Sequence, residues 1–171
     1  MRESSLLLEE ELKVWGQWAA SAVKDEADWE TDAPNWPKIL RLAKDVLVEP
    51  DLQVEELALL EAVFSLSEEG ECLADFLKER FAEVSTYTIR RLVLSPNPKV
   101  RWQVYDSIMD RDEFCVGLLE RGLQDTVAYV RRRAFFRLLS HGNPREEILK
   151  RAANDVDEVL SGHAREALSR K

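Results

Sequence analysis

The chain has 171 residues, 45% of them hydrophobic and 33% charged, and a formal net charge of −9 at neutral pH. That length suits one domain around one continuous core, and no apolar run approaches the roughly 20 residues of a membrane-spanning helix. Residues 1–85 carry 8 Lys and Arg against 21 Asp and Glu while residues 86–171 carry 16 against 12, a division that disfavours a nucleic-acid backbone and favours a basic protein partner.

The first helix is expected from about Ser4 to Lys24, because Leu8, Leu12, Trp15, Ala19, Ala22 and Val23 trace one stripe at helical spacing. Its stripe needs a neighbour, and the open end of the structure that follows supplies one, so it reads as an N-terminal capping helix. Leu6, Leu7 and Leu8 run straight into Glu9, Glu10 and Glu11, unlike a secretory leader, and a cytoplasmic protein is expected. Residues 25–35 have no apolar period and form an acidic loop. Within it Asp28, Trp29, Glu30 and Asp32 are candidate binding residues, since a tryptophan among carboxylates can anchor a partner. Alternatively the rings of Trp29 and Trp36 fold back over the core.

A second helix is expected over Pro37 to Val48, with Ile39, Leu40, Ala43, Val46 and Leu47 apolar. The third, about Val54 to Leu66, is apolar almost all round and should be central. A fourth follows Gly70 with the stripe Leu73, Phe76, Leu77 and Phe81. Cys72 and Cys115 fall in apolar stripes, lack companions at metal-site spacing, and read as reduced core residues.

From Ser85 onward the chain repeats itself every 30 residues. Val100, Val104 and Ile108 align with Val130, Ala134 and Leu138, and these with Leu160, Ala164 and Leu168. The preceding segments echo too, Ile89 and Val93 with Leu119 and Leu123, then Leu149 and Ala153. The unit is a helical hairpin used three times, and hairpins that cannot bury their own apolar faces stack into a solenoid. Residues 37–84 form looser versions of the same unit, giving about ten helices and no strand in one domain over 1–171. Asn97 with Pro98 reads as a helix start, as do Asp125, Asp155 and the sequence Gly142-Asn143-Pro144. Ala134 and Ala164 should let neighbouring helices approach closely.

The stretch Asp125 to Leu138, with Val130-Arg131 then Ala134 and Leu138, resembles the second helix of HEAT-like repeats, and Asn97 to Ile108 carries Val100-Arg101 in the same places. Asp155 to Leu168 keeps the pattern with Ser161 in place of the arginine. The resemblance implies an all-α, HEAT-like α-solenoid of the short bacterial type that includes phycobilisome-lyase-like proteins, and it assigns Arg101 and Arg131 to pairing with the turn aspartate of an adjacent unit. Arg132, Arg133 and Arg137 lie outside that pattern and are candidates for a basic strip able to meet an acidic partner or a phosphate.

One stretch resembles catalytic machinery. Trp102 and Asp106 are four residues apart on a helix, similar to the site helix of DNA-alkylation-repair glycosylases built from HEAT-like repeats, in which ring and carboxylate hold a damaged cationic base and an arginine, here Arg132, helps. Their positions, about 160° to 200° around the helix from Val104, place them opposite the buried face. No second tryptophan follows, and the overall charge opposes DNA; His141 and His163 form no paired metal motif. The expected function is non-enzymatic: a monomeric adaptor or an inhibitor or immunity protein binding a basic protein, with no metal or cofactor. The glycosylase reading through Trp102, Asp106 and Arg132 is the alternative.

Overall fold

Apolar spacing and turn chemistry start and stop the helices close to where the sequence predicts. A computed structural model of the chain describes residues 1–22, 33–67, 72–109, 112–142 and 144–170. Among these residues there are ten α-helices and no strand: α1 (Glu3–Ser21), α2 (Trp36–Leu47), α3 (Val54–Leu66), α4 (Cys72–Glu79), α5 (Thr86–Leu92), α6 (Pro98–Ser107), α7 (Glu113–Gly122), α8 (Ala128–Ser140), α9 (Glu146–Ala152) and α10 (Glu158–Ser169). A 3-10 turn at Phe81–Glu83 precedes α5. No helix among the described residues is long and apolar enough to cross a membrane.

Asn97 caps α6 as predicted, its side chain accepting from the Lys99 N–H at 2.9 Å with Pro98 in the first turn. Two other predicted starts are corrected. Asp125 and Asp155 are not caps: α8 and α10 are entered through Val127 and Asp157. Each aspartate instead accepts from the N–H two residues on, Val127 at 2.9 Å and Asp157 at 2.8 Å, closing a tight turn before the helix. The helix predicted after Gly142 begins only at Glu146, because the Ile148 and Leu149 N–H groups close the first turn on the Arg145 carbonyl. Asn143 lies outside the described residues. Gly142 has φ +90°, a conformation that favours glycine.

The even-numbered helices lie in a row, α2 against α4, α4 against α6, α6 against α8 and α8 against α10. Odd helices pair with the even helix that follows, most closely α1 with α2, α7 with α8 and α9 with α10, while α3 touches α1, α2, α4, α5 and α6 and is central, as its all-round apolar sequence predicts. One contiguous core runs from Leu8 through Phe64, Val104 and Phe135 to Ala164. Trp36 and Cys115 are buried in it; Trp29 and the Cys72 side chain lie outside the described part. The α1 end is fastened by a buried carboxylate: Glu56, 1% exposed, accepts from the Arg2 backbone and guanidinium, each at 3.2 Å, and from Ser5 Oγ at 2.8 Å.

The single-stripe reading of α6 is too simple. Gln103 and Ser107 are as buried as Val104. Gln103 donates to the Phe64 carbonyl at 2.8 Å and Ser107 to the Ala74 carbonyl at 2.9 Å, so polar side chains of α6 knit it to α3 and α4 while α8 covers its other flank. Buried polar groups of this kind are tolerated because they are fully hydrogen-bonded.

Candidate interaction surface on α6, α8 and α10

Two arginines tie successive repeats together. Arg101 grips Asp125 bidentately, Nε and Nη2 at 2.7 and 2.8 Å, and also donates to the Ser95 and Pro96 carbonyls. Thirty residues on, Arg131 repeats this with Asp155 at 2.8 and 2.7 Å and with the Asp125 and Thr126 carbonyls. Burial pushes the Asp125 carboxyl up, but the Arg101 hydrogen bonds and the Val127 N–H outweigh it and hold it below the usual carboxylate range. The Asp155 carboxyl is lowered chiefly by Arg131. These arginines are structural, as the repeat pattern implies.

Arg132, Arg133 and Arg137, the candidates for a basic strip, each have a carboxylate of the same chain beside them. Arg132 donates bidentately to Asp157 at 2.8 and 2.6 Å. That guanidinium and the Leu160 N–H bring the Asp157 carboxyl down to about 2. Arg133 and Arg137 converge on Asp106 instead, with nitrogen–oxygen distances of 3.8 and 3.4 Å. The reason is helical geometry: residue 132 points along the row toward α10, whereas 133 and 137 lie one turn apart on the flank that meets α6.

Trp102 and Asp106 sit on that flank. They are half-buried between α6 and α8, not on an open face opposite Val104, because α6 has helices on both sides. The Tyr129 ring meets the Trp102 ring edge-on, centroids 5.5 Å apart at 79°. Over this corner lies the Arg133 guanidinium, 5.2 Å from the Trp102 centroid and 4.9 Å from that of Tyr129, with its Nε donating to the Tyr129 hydroxyl at 3.0 Å. On the far side of α8, Phe136 meets His163 of α10 edge-on at 5.0 Å. The second aromatic wall that the sequence seemed to lack is therefore Tyr129, and the arginines beside Asp106 are Arg133 and Arg137, not Arg132. Sequence reasoning also missed Asp157; the 24-residue spacing that joins Arg101 to Asp125 and Arg131 to Asp155, extended by one, was the available signal.

Part of the acidic half is exposed. Glu3, Glu10, Asp45, Glu55, Asp75 and Glu79 are all exposed and join no ion pair among the described residues. Asp28, Trp29, Glu30 and Asp32 lie outside the described residues. A cavity of about 550 Å³ lies between α7, the end of α8 and α9, with Val116, Gly117, Leu138 and Ile148 in its lining and a Glu120–Arg145 ion pair beside it. Among the described residues no cluster of His, Cys, Asp or Glu is placed to hold a metal ion. Compared with protein families, curated proteins and solved structures, the chain matches none.

Proposed function

We propose that the chain is a HEAT-like α-solenoid that works as a non-enzymatic protein-binding module, a cytoplasmic adaptor or an inhibitor or immunity protein that takes a basic partner on its acidic N-terminal half. The solenoid reading rests on the row of even helices and on the arginine–aspartate bridges at 24-residue spacing. The observation that carries the function is the segregation of charge. In the C-terminal half Arg101, Arg131, Arg132, Arg133 and Arg137 face aspartates of their own chain, whereas in the N-terminal half Glu3, Glu10, Asp45, Glu55, Asp75 and Glu79 are exposed and join no ion pair among the described residues. A cationic protein meets an attractive field there and is steered toward it.

Nothing favours the glycosylase alternative. Arg133 already lies over Trp102 and beside Asp106, so a cationic base would have to displace a guanidinium. A net charge of −9 also works against phosphate binding.

The test is to capture partners on the immobilised full-length chain, identify them, and measure association and dissociation rates across a salt series. The captured partner should be basic, and its association rate should fall steeply with salt while dissociation changes little. Replacing Asp25, Glu26, Asp28, Glu30 and Asp32 by Asn or Gln should slow association. An acidic partner, or association insensitive to salt, refutes the reading.

A further inference from the structure

We propose that Arg133 and Arg137, set around Asp106 and backed by Trp102 and Tyr129, form a receptor for one carboxylate, an aspartate or glutamate side chain presented by a protein partner. The inference stands apart from the acidic N-terminal half, since it requires one acidic side chain at one spot whatever the partner's net charge.

The first ground is stoichiometry. Two guanidiniums share a single carboxylate, at 3.8 and 3.4 Å, while the ladder arginines hold theirs at 2.6 to 2.8 Å. Among the described residues Asp106 therefore leaves donors of both arginines unused, and the three side chains together carry a net positive charge. A second carboxylate balances it.

The second ground is an unsatisfied donor. The Arg137 side chain is only 13% exposed, its Nε is buried with no acceptor among the described residues, and its Nη1 points at the Met109 thioether at 3.2 Å. Sulfur is a weak acceptor. A desolvated guanidinium left in this state is costly, and an oxyanion meeting its Nη groups offsets part of that cost.

The third ground is preorganisation. The rings of Trp102 and Tyr129 fix the plane of Arg133, whose side chain remains 36% exposed. Its Nε and Nη2 donate to the Tyr129 hydroxyl, which leaves the Nη1 end, beside Asp106, to meet a carboxylate, and Trp, Tyr and Arg are the residues that dominate binding energy at protein interfaces. A nucleic-acid strand fits less well: it needs several cations along its track, and the neighbouring Arg132 is committed to Asp157.

The test is an NMR titration of the full-length chain with the peptide acetyl-Asp-Glu-Asp-amide, following the arginine Nε–H and tryptophan indole N–H signals. Saturable shifts at Arg133, Arg137 and Trp102 are expected, absent with the acetyl-Asn-Gln-Asn-amide analogue. Arg133→Gln should weaken binding at least about tenfold, the loss of one charge-assisted hydrogen bond. Asp106→Asn should tighten it by removing the competing carboxylate, while Glu147→Gln, which deletes one exposed charge on α9, should leave it unchanged. Melting curves establish that each variant is folded. Absence of saturable shifts, an equal response to the amide analogue, or an Asp106→Asn variant that binds no tighter than Glu147→Gln overturns the proposal. So does tighter binding of inorganic phosphate or a short DNA duplex at the same signals, which would make this a phosphate site.

Discussion

Gly122 ends α7 against Ala134 and Tyr105, and a methyl group added there has no room. A Cβ built on Gly122 meets Ala134 Cβ at 2.6 Å and two ring carbons of Tyr105 at 3.0 Å, against the roughly 3.5–4.0 Å at which carbon atoms rest comfortably. Ala134 Cβ is bonded directly to the α8 backbone and cannot swing aside, and Tyr105 is itself buried. In Gly122→Ala the two helices must therefore separate, a strain of about 1–3 kcal/mol. Alanine's helix propensity returns at most about 1 kcal/mol, and less at the last residue of a helix. The expected net loss is about 1–2 kcal/mol. Gly117, in the same helix, has nothing within 4 Å of an added Cβ, so Gly117→Ala should gain roughly 0.5–1 kcal/mol. At about 2–4 °C per kcal/mol for a chain of this size, thermal melts should fall on opposite sides of the wild type. Ala134→Leu presses on the same contact from α8 and should cost about 1–3 kcal/mol. If Gly122→Ala melts with or above Gly117→Ala, close approach of α7 and α8 is not what requires a small residue here.

Stability should also fall in acid through Asp157. Its folded-state carboxyl lies at about 2, below its unfolded value near about 4, so the contribution is fully present above about pH 4 and is lost as the pH drops toward about 2. Arg132 is 32% exposed, and after solvent screening the term is about 1–2 kcal/mol. Asn can still cap α10, so Asp157→Asn should melt lower than wild type at neutral pH and match it near pH 2; an equal gap at both pH values refutes the charge argument. Neither the wild type nor Asp106→Asn should release methylated base from alkylated duplex DNA at low salt. Release by the wild type that vanishes in Asp106→Asn would establish the glycosylase reading instead.

The helices were legible because their apolar residues recur at helical spacing and their ends carry strong turn chemistry. Val54–Leu66 matches its predicted bounds, and α6 packs on α8 and α8 on α10. The starts of α8 and α10 were less legible, because Asp125 and Asp155 look like caps while their carboxylates are committed to Arg101 and Arg131. The surface was legible only in part. Trp102 and Asp106 are visible as a pair at i, i+4, but Tyr129 and Arg133 reach them from the next repeat, and which of three adjacent arginines turns toward α6 depends on helix phase within the packed row. One apolar stripe cannot report a helix that is covered on both flanks, so the buried Gln103 and Ser107 fall outside it.

The same arginines explain why a half-chain with an excess of cations need not act as a basic surface. Apolar stripes alone allow one helix to slide along another by a turn with little penalty, since Val, Ala and Leu recur at each level. The Arg101–Asp125 and Arg131–Asp155 bridges do not allow it. Each links an even helix to the turn that opens the next, with both side chains at most 15% exposed, and each guanidinium also holds two carbonyls. Such pairs add little net stability because desolvation offsets their attraction, but breaking one strands a charge in a poorly solvated place, at a cost of about 3–5 kcal/mol. They therefore act on register more than on strength. In doing so they, with Arg132 and Asp157, commit three arginines of the C-terminal half to carboxylates of their own chain. Arg133 and Arg137, which share Asp106, are held less closely.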